Sequence, residues 1–73
     1  MRTGMTDTER LKRIVDDSGL KRSFIAEKMG ISYQGYHKKE SGQSEFLASE
    51  IAVLQDLLNL SIKDVGEIFL LLK

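Results

Sequence analysis

Cysteine and proline are both absent from the 73 residues, and histidine occurs once. Without cysteine there is no disulfide staple and no thiolate metal site, which suits a reducing cytoplasm. One histidine without correctly spaced carboxylates does not build a zinc site. There is no Gly-rich phosphate loop and no convergent set of acid, base and nucleophile, so neither an enzyme nor a cofactor is expected. Asp16 and Asp17 are paired only on paper, because neighbouring helix positions diverge by about 100°; a solvated helix end is the expected role. No apolar run approaches the roughly 18 residues of a membrane span, and the N-terminus lacks the apolar stretch of a secretion signal. The expected location is the cytoplasm, with no membrane partner.

A surplus of charge is missing too, with 11 basic and 11 acidic residues. Taken alone this argues against a nucleic-acid partner, whose non-specific affinity comes from phosphate neutralisation. The distribution reverses that impression. Between Leu20 and Lys39 stand Lys21, Arg22, Lys28, Lys38 and Lys39 against Glu27 alone. From Glu40 onward, Glu40, Glu45, Glu50, Asp56, Asp64 and Glu67 face only Lys63 and Lys73. A molecule polarised in this way would meet a duplex with its middle segment and turn its C-terminal half away.

The length allows one small domain, whose core is marginal unless the helices pack well or the chain oligomerises. Residues 1–6 read as a flexible leader, with Met5 a plausible alternative start, and residues 7–73 as a single domain. Thr6 and Glu9 stand at capping-box spacing ahead of the apolar stripe Leu11, Ile14, Val15, so a first helix is predicted to about Ser18, closed by Gly19. Residues 22–29 and 33–39 form two short helices. The polar stretch Ser41-Gly42-Gln43-Ser44 is a connection. Ile51, Leu54, Leu57 and Leu58 then mark one face of a fourth helix, with Glu50, Gln55 and Asp56 mainly on the other. Asn59 reads as its left-handed end, and Ser61 with Asp64 as the start of a fifth helix that carries more apolar surface than one small core can hide. The expected architecture is all-α, a compact bundle of five short helices.

The stretch RSFIAEKMGISYQGYHKKES, Arg22 to Ser41, is the most informative. Ile25, Ala26 and Met29 share one side of a helix. Ala26 leaves room for a steeply crossing neighbour without the helix penalty of glycine, about 1 kcal/mol. Gly30 suits a left-handed helix end, Ile31 can plug the gap, and Ser32 can cap a second helix starting at Tyr33. This is the layout of a helix-turn-helix.

These residues resemble the lambda-repressor-like, Cro/CI-type helix-turn-helix regulators of phages and bacteria. The resemblance lies in Ile25-Ala26, Met29-Gly30-Ile31-Ser32 and the apolar Tyr36, and spans roughly Leu11 to Leu60. It is closest to short phage-related members in which strings like FIAEKMGISYQG (Phe24 to Gly35) and ASEI (Ala48 to Ile51) recur. Two departures stand out. Arg22 occupies a position usually held by Gln, which changes the group that clamps the phosphate backbone, and Lys39 occupies a position usually apolar, which suggests that the second motif helix ends early or tilts.

The resemblance implies a lambda-repressor-like DNA-binding domain whose second motif helix enters the major groove. The implied base-reading residues are Tyr33, Gln34, His37 and Lys38. Gln34 can pair with adenine N6 and N7, and Lys38 can reach guanine or a phosphate. His37 is either a contact that strengthens on protonation or an incidental exposed residue. The implied backbone contacts are Lys21, Arg22, Ser23, Ser32 and Lys39. Tyr36 reads as core. Gly35, costly inside a helix, reflects close approach to DNA or to the preceding helix, or simple tolerance.

One motif reads few bases, so a homodimer on a pseudo-palindromic operator is implied. Residues 61–73 supply the candidate seam, with Phe69, Leu70 and Leu72 foremost; the alternative is that this helix completes the monomer core. The expected function is a phage or prophage transcriptional repressor, with no small-molecule effector evident, controlled by its concentration and by competition with a partner regulator. The competing expectation is a protein-interaction module, an antitoxin or antirepressor, acting through the apolar C-terminal helix. An exposed basic ridge at Tyr33, Gln34 and Lys38 separates the two.

Overall fold

Helix ends are written into single residues along this chain. In the computed structural model, which describes residues 6–69, α1 (Thr8–Ser18), α2 (Arg22–Met29), α3 (Tyr33–Glu40), α4 (Ala48–Leu58) and α5 (Ile62–Ile68) follow in order, and the described residues contain no strand. Gly30 closes α2 at φ +74°, and its N–H and that of Ile31 return to the last carbonyls of the helix. An L side chain pays a steric penalty in that conformation and glycine does not. Asn59 does the same for α4 at φ +55°, the residue other than glycine that tolerates it best.

The starts are equally local. The Ser32 hydroxyl accepts from Gly35 N–H at 3.0 Å. At α5, Ser61 and Asp64 cap each other reciprocally, at 3.0 and 3.3 Å. Glu50 reaches back to the Leu47 N–H at 2.8 Å, which secures the start of α4. The first helix departs from the Thr6–Glu9 expectation by one residue. Asp7 is the cap, accepting from Arg10 N–H at 3.2 Å. Its own N–H donates to the Ile68 carbonyl, so a tertiary bond to the end of α5 sets the register while Thr6 is buried beside it.

Packing follows from the apolar faces. α2 lies against α3 and α4, and α1 against α3, α4 and α5. Leu11 and Val15 of α1, Ile25 and Ala26 of α2, Tyr36 of α3, and Ile51 and Leu54 of α4 form one core with Leu60 and Ile68. An edge-on aromatic series runs through it: Tyr36 meets Phe46 at 6.2 Å between ring centres, and Phe46 meets Phe69 at 5.3 Å. Truncating a fully enclosed leucine such as Leu54 to alanine costs about 2–5 kcal/mol, which approaches the whole stability of a small domain, about 5 kcal/mol at the low end. The Cα radius of gyration of 11.1 Å equals the roughly 11 Å of a compact chain this long.

The end of the described chain departs from the expected dimer seam. α5 ends at Ile68, and Phe69 is 2% exposed, enclosed by the monomer's own core. Phe69 therefore has no surface to offer a second copy. Leu70 and Leu72 lie outside the described residues, as do residues 1–5 of the expected leader. No described helix is long and apolar enough to cross a membrane.

Candidate nucleic-acid interface

The turn Gly30-Ile31-Ser32 delivers α3 against α2 with one face inward and one outward. Tyr36, 0% exposed, and Glu40, 3% exposed, point into the protein. Tyr33, Gln34, His37 and Lys38 are all exposed or partly so, and their spacing of one, four and five residues puts them on a common helical face. The four expected base-reading residues are thus brought together on one open ridge. No ion pair holds Lys38 among the described residues, and the Tyr33 ring is half in solvent.

Around this ridge the expected backbone-contact residues divide. Lys21 and Ser23 are exposed at the start of α2, a helix whose first turn receives no side-chain cap, unlike α1, α3 and α5. Its N–H groups are left to solvent or an anion. The Ser32 oxygen is engaged as the α3 cap, which leaves its O–H free to donate. Lys39 departs from the expectation. Its side chain is 16% exposed, donates to the Glu45 carbonyl at 2.8 Å and pairs with Glu50 at 3.2 Å. The ammonium stitches α3 to α4 instead of standing ready for a phosphate. The departure at this usually apolar position has a plain physical reason: the methylene stem is covered while Glu50, 7% exposed, neutralises the tip. Nor does α3 end early, since it continues through Glu40.

Arg22 sits at the centre of the site's electrostatics. Its Nε donates to both Glu40 oxygens at 3.0 and 3.1 Å, and its Nη1 pairs with Asp16 of α1 at 2.9 Å. The Tyr36 hydroxyl donates to the same Glu40 carboxylate at 2.8 Å. Burial disfavours the Arg22 charge, but the bonds to Glu40 and Asp16 outweigh it and raise the arginine's pKa. Burial first, then the hydrogen bond and charge of Glu40, push the Tyr36 hydroxyl well above the ordinary tyrosine range. No buried side-chain nitrogen or oxygen among the described residues lacks a partner. A satisfied network of this kind fixes the angle between the helices it joins.

Fewer cations are available than the segment contains. Of the five between Leu20 and Lys39, Arg22 and Lys39 are engaged by internal carboxylates, which leaves Lys21, Lys28 and Lys38; Lys28 sits 5.4 Å from the Phe24 ring centre. Glu40 and Glu50 in turn vanish from the acidic surface. Both poles are weaker than the residue counts imply.

Sequence reasoning missed Glu40 and Glu50. A glutamate four residues after a core tyrosine is itself on the core face, and that i, i+4 relation was the available signal. For Gly35, a Cβ would stand 3.2 Å from the Ser32 hydroxyl oxygen and 4.0 Å from the Ile31 Cβ. Space for the cap, not approach to α2, is what the glycine provides within the protein. No group of side chains among the described residues is arranged to hold a metal ion. Comparison of the chain with protein-family models, with curated proteins and with solved structures returns no match.

Proposed function

We propose that the chain is a sequence-specific DNA-binding transcriptional regulator of the lambda-repressor-like, Cro/CI type, a phage or prophage repressor that lays α3 in the major groove and acts in the cytoplasm. One observation carries the reading: Tyr33, Gln34, His37 and Lys38 form an open ridge on α3, while Glu40 on the helix itself and Glu50 beyond are turned inward and paired. The outward face of α3 carries no acid. The uncapped first turn of α2 beside exposed Lys21 and Ser23 adds a phosphate anchor of the kind that sets register without reading sequence. Gln34 supplies the amide that distinguishes adenine, and Lys38 the cation for guanine or phosphate.

Two copies on a pseudo-palindrome would supply the specificity that one motif lacks. Ile62, 79% exposed on α5, is a described apolar side chain open to such a partner, in place of the enclosed Phe69. The same exposed Ile62 is open to a protein partner, so the protein-interaction reading is separated from this one by DNA binding.

The test is a salt titration of binding to duplex DNA taken from upstream of the chain's own gene. Wild type should show a steep salt slope. Gln34→Ala should erase the preference for that DNA over random duplex, and Lys38→Ala should weaken binding to both, lowering the slope by about one. Absence of binding at low salt overturns the reading, and sedimentation of the wild type with and without DNA decides the dimer.

A further inference from the structure

Arg22 is held between two carboxylates in opposite surroundings. Glu40 is 3% exposed and takes Nε through both its oxygens, while Asp16 is 64% exposed and takes only Nη1. The Arg22 side chain between them is 26% exposed. The buried side is permanent, because a buried carboxylate stripped of its cation is strongly destabilising. The open side is exchangeable, because an exposed ion pair is weak and competes with solvent and salt.

The chemistry of the exchange is narrow. A guanidinium offers five N–H groups in a rigid fork matched to the oxygens of a carboxylate or a phosphate. Nε is engaged by Glu40, so the exchangeable contact is the one Nη1 makes with Asp16. A phosphodiester carries the same single charge as the carboxylate that occupies that place. Asp16 thus resembles, in charge and acceptor geometry, the ligand expected at the start of α2.

We propose that Asp16 is an internal stand-in for a DNA backbone phosphate: it occupies the open edge of Arg22 in the free protein and is displaced on binding, while Glu40, as a positioning residue, keeps the guanidinium aimed throughout. The inference rests on the DNA-binding reading and adds a brake to it. Asp16 opposes binding twice, first by occupying Nη1 and then, once displaced, as an uncompensated negative charge beside the phosphate. This gives a function to a residue that otherwise reads as a solvated helix end, and it accounts for an arginine that is paired in the free protein yet partly open to solvent.

The experiment uses a fluorescent random-sequence duplex of about thirty base pairs, titrated across a series of salt concentrations with the full chain. Asp16→Asn should bind up to about fivefold tighter at low salt, the equivalent of losing one exposed ion pair, with a salt slope steeper by about one counterion. Asp17→Asn makes the same change in net charge one position away, where the side chain is exposed and has no ion pair with Arg22 among the described residues, and should gain distinctly less. In the background Arg22→Gln/Glu40→Gln, which removes the guanidinium without leaving a buried carboxylate, the Asp16 effect on the slope should disappear.

Equal gains from Asp16→Asn and Asp17→Asn, or no gain from Asp16→Asn, overturn the stand-in and leave DNA binding intact. If neither wild type nor Asp16→Asn binds the duplex at low salt, both the stand-in and the DNA-binding reading fall.

Discussion

Two arginines each pair with two acids, and they do different work. Arg10 joins α1 to α5, with Nη1 on Glu67 at 2.6 Å and Nη2 on Asp64 at 3.2 Å, and all three side chains are about a third exposed or more. Arg22 joins α1, α2 and α3 through Asp16 and a Glu40 that is almost wholly enclosed. The bond lengths are similar and the residue types nearly the same. Water decides the outcome: around Arg10 it solvates every charge whether or not the pair forms, whereas among the described residues Glu40 has Arg22 and Tyr36 alone to replace the hydration it lost. The first seam decorates the fold and the second sets the angle at which α3 is presented.

The sharpest way to break this contrast is to remove one cation at a time. Arg22→Ala leaves the Glu40 carboxylate buried against the Tyr36 hydroxyl alone. It should lose about 3 kcal/mol in urea denaturation, the low end for a broken buried pair because the arginine itself is partly open. Coupling to the double variant Arg22→Ala/Glu40→Gln, which should recover much of that loss, measures how much belongs to the stranded charge.

Tyr36→Phe is the next largest. It removes a hydrogen bond to a charged acceptor, about 1.5–3 kcal/mol, and it carries a signature in pH. An unfolded tyrosine gives up its proton near pH 10, whereas the raised value in the fold keeps the proton on Tyr36 to higher pH. The unfolded state releases its proton first, so this contribution is complete below about pH 10 and is lost as the pH rises beyond, by up to about 1.4 kcal/mol per unit. Wild type should therefore lose stability more steeply than Tyr36→Phe between about pH 10 and 11. Parallel curves in that window contradict the buried network. The smallest effect belongs to Arg10→Ala, which should leave the denaturation midpoint close to that of the wild type. A loss matching that of Arg22→Ala would mean that exposure is not what separates the two seams.

Much of the helical framework is legible in the order of residues alone. Gly19, Gly30 and Asn59 end helices, Ser32 and Ser61 begin them, and the bounds 22–29 for α2 agree to the residue. The reason is reach: each of these bonds closes within about five residues. Tyr36, expected as core, is 0% exposed. What fails does so at longer range. Thr6 yields the α1 cap to Asp7, whose N–H bonds the far end of α5. Glu50, expected to face mainly away, turns inward to Lys39 of α3. Phe69, expected as surplus for a partner, is the last ring of an internal aromatic series that runs through Phe46 in the loop before α4.

The sequence by itself determined that there are five helices and where α2 and α3 begin, because helical period and capping are properties of adjacent residues. Only the tertiary structure decided which charges remain available. Arg22 and Glu40 lie 18 positions apart and Arg10 and Glu67 57 apart. A charge becomes structural or free according to whether folding brings an opposite charge to it and takes the water away.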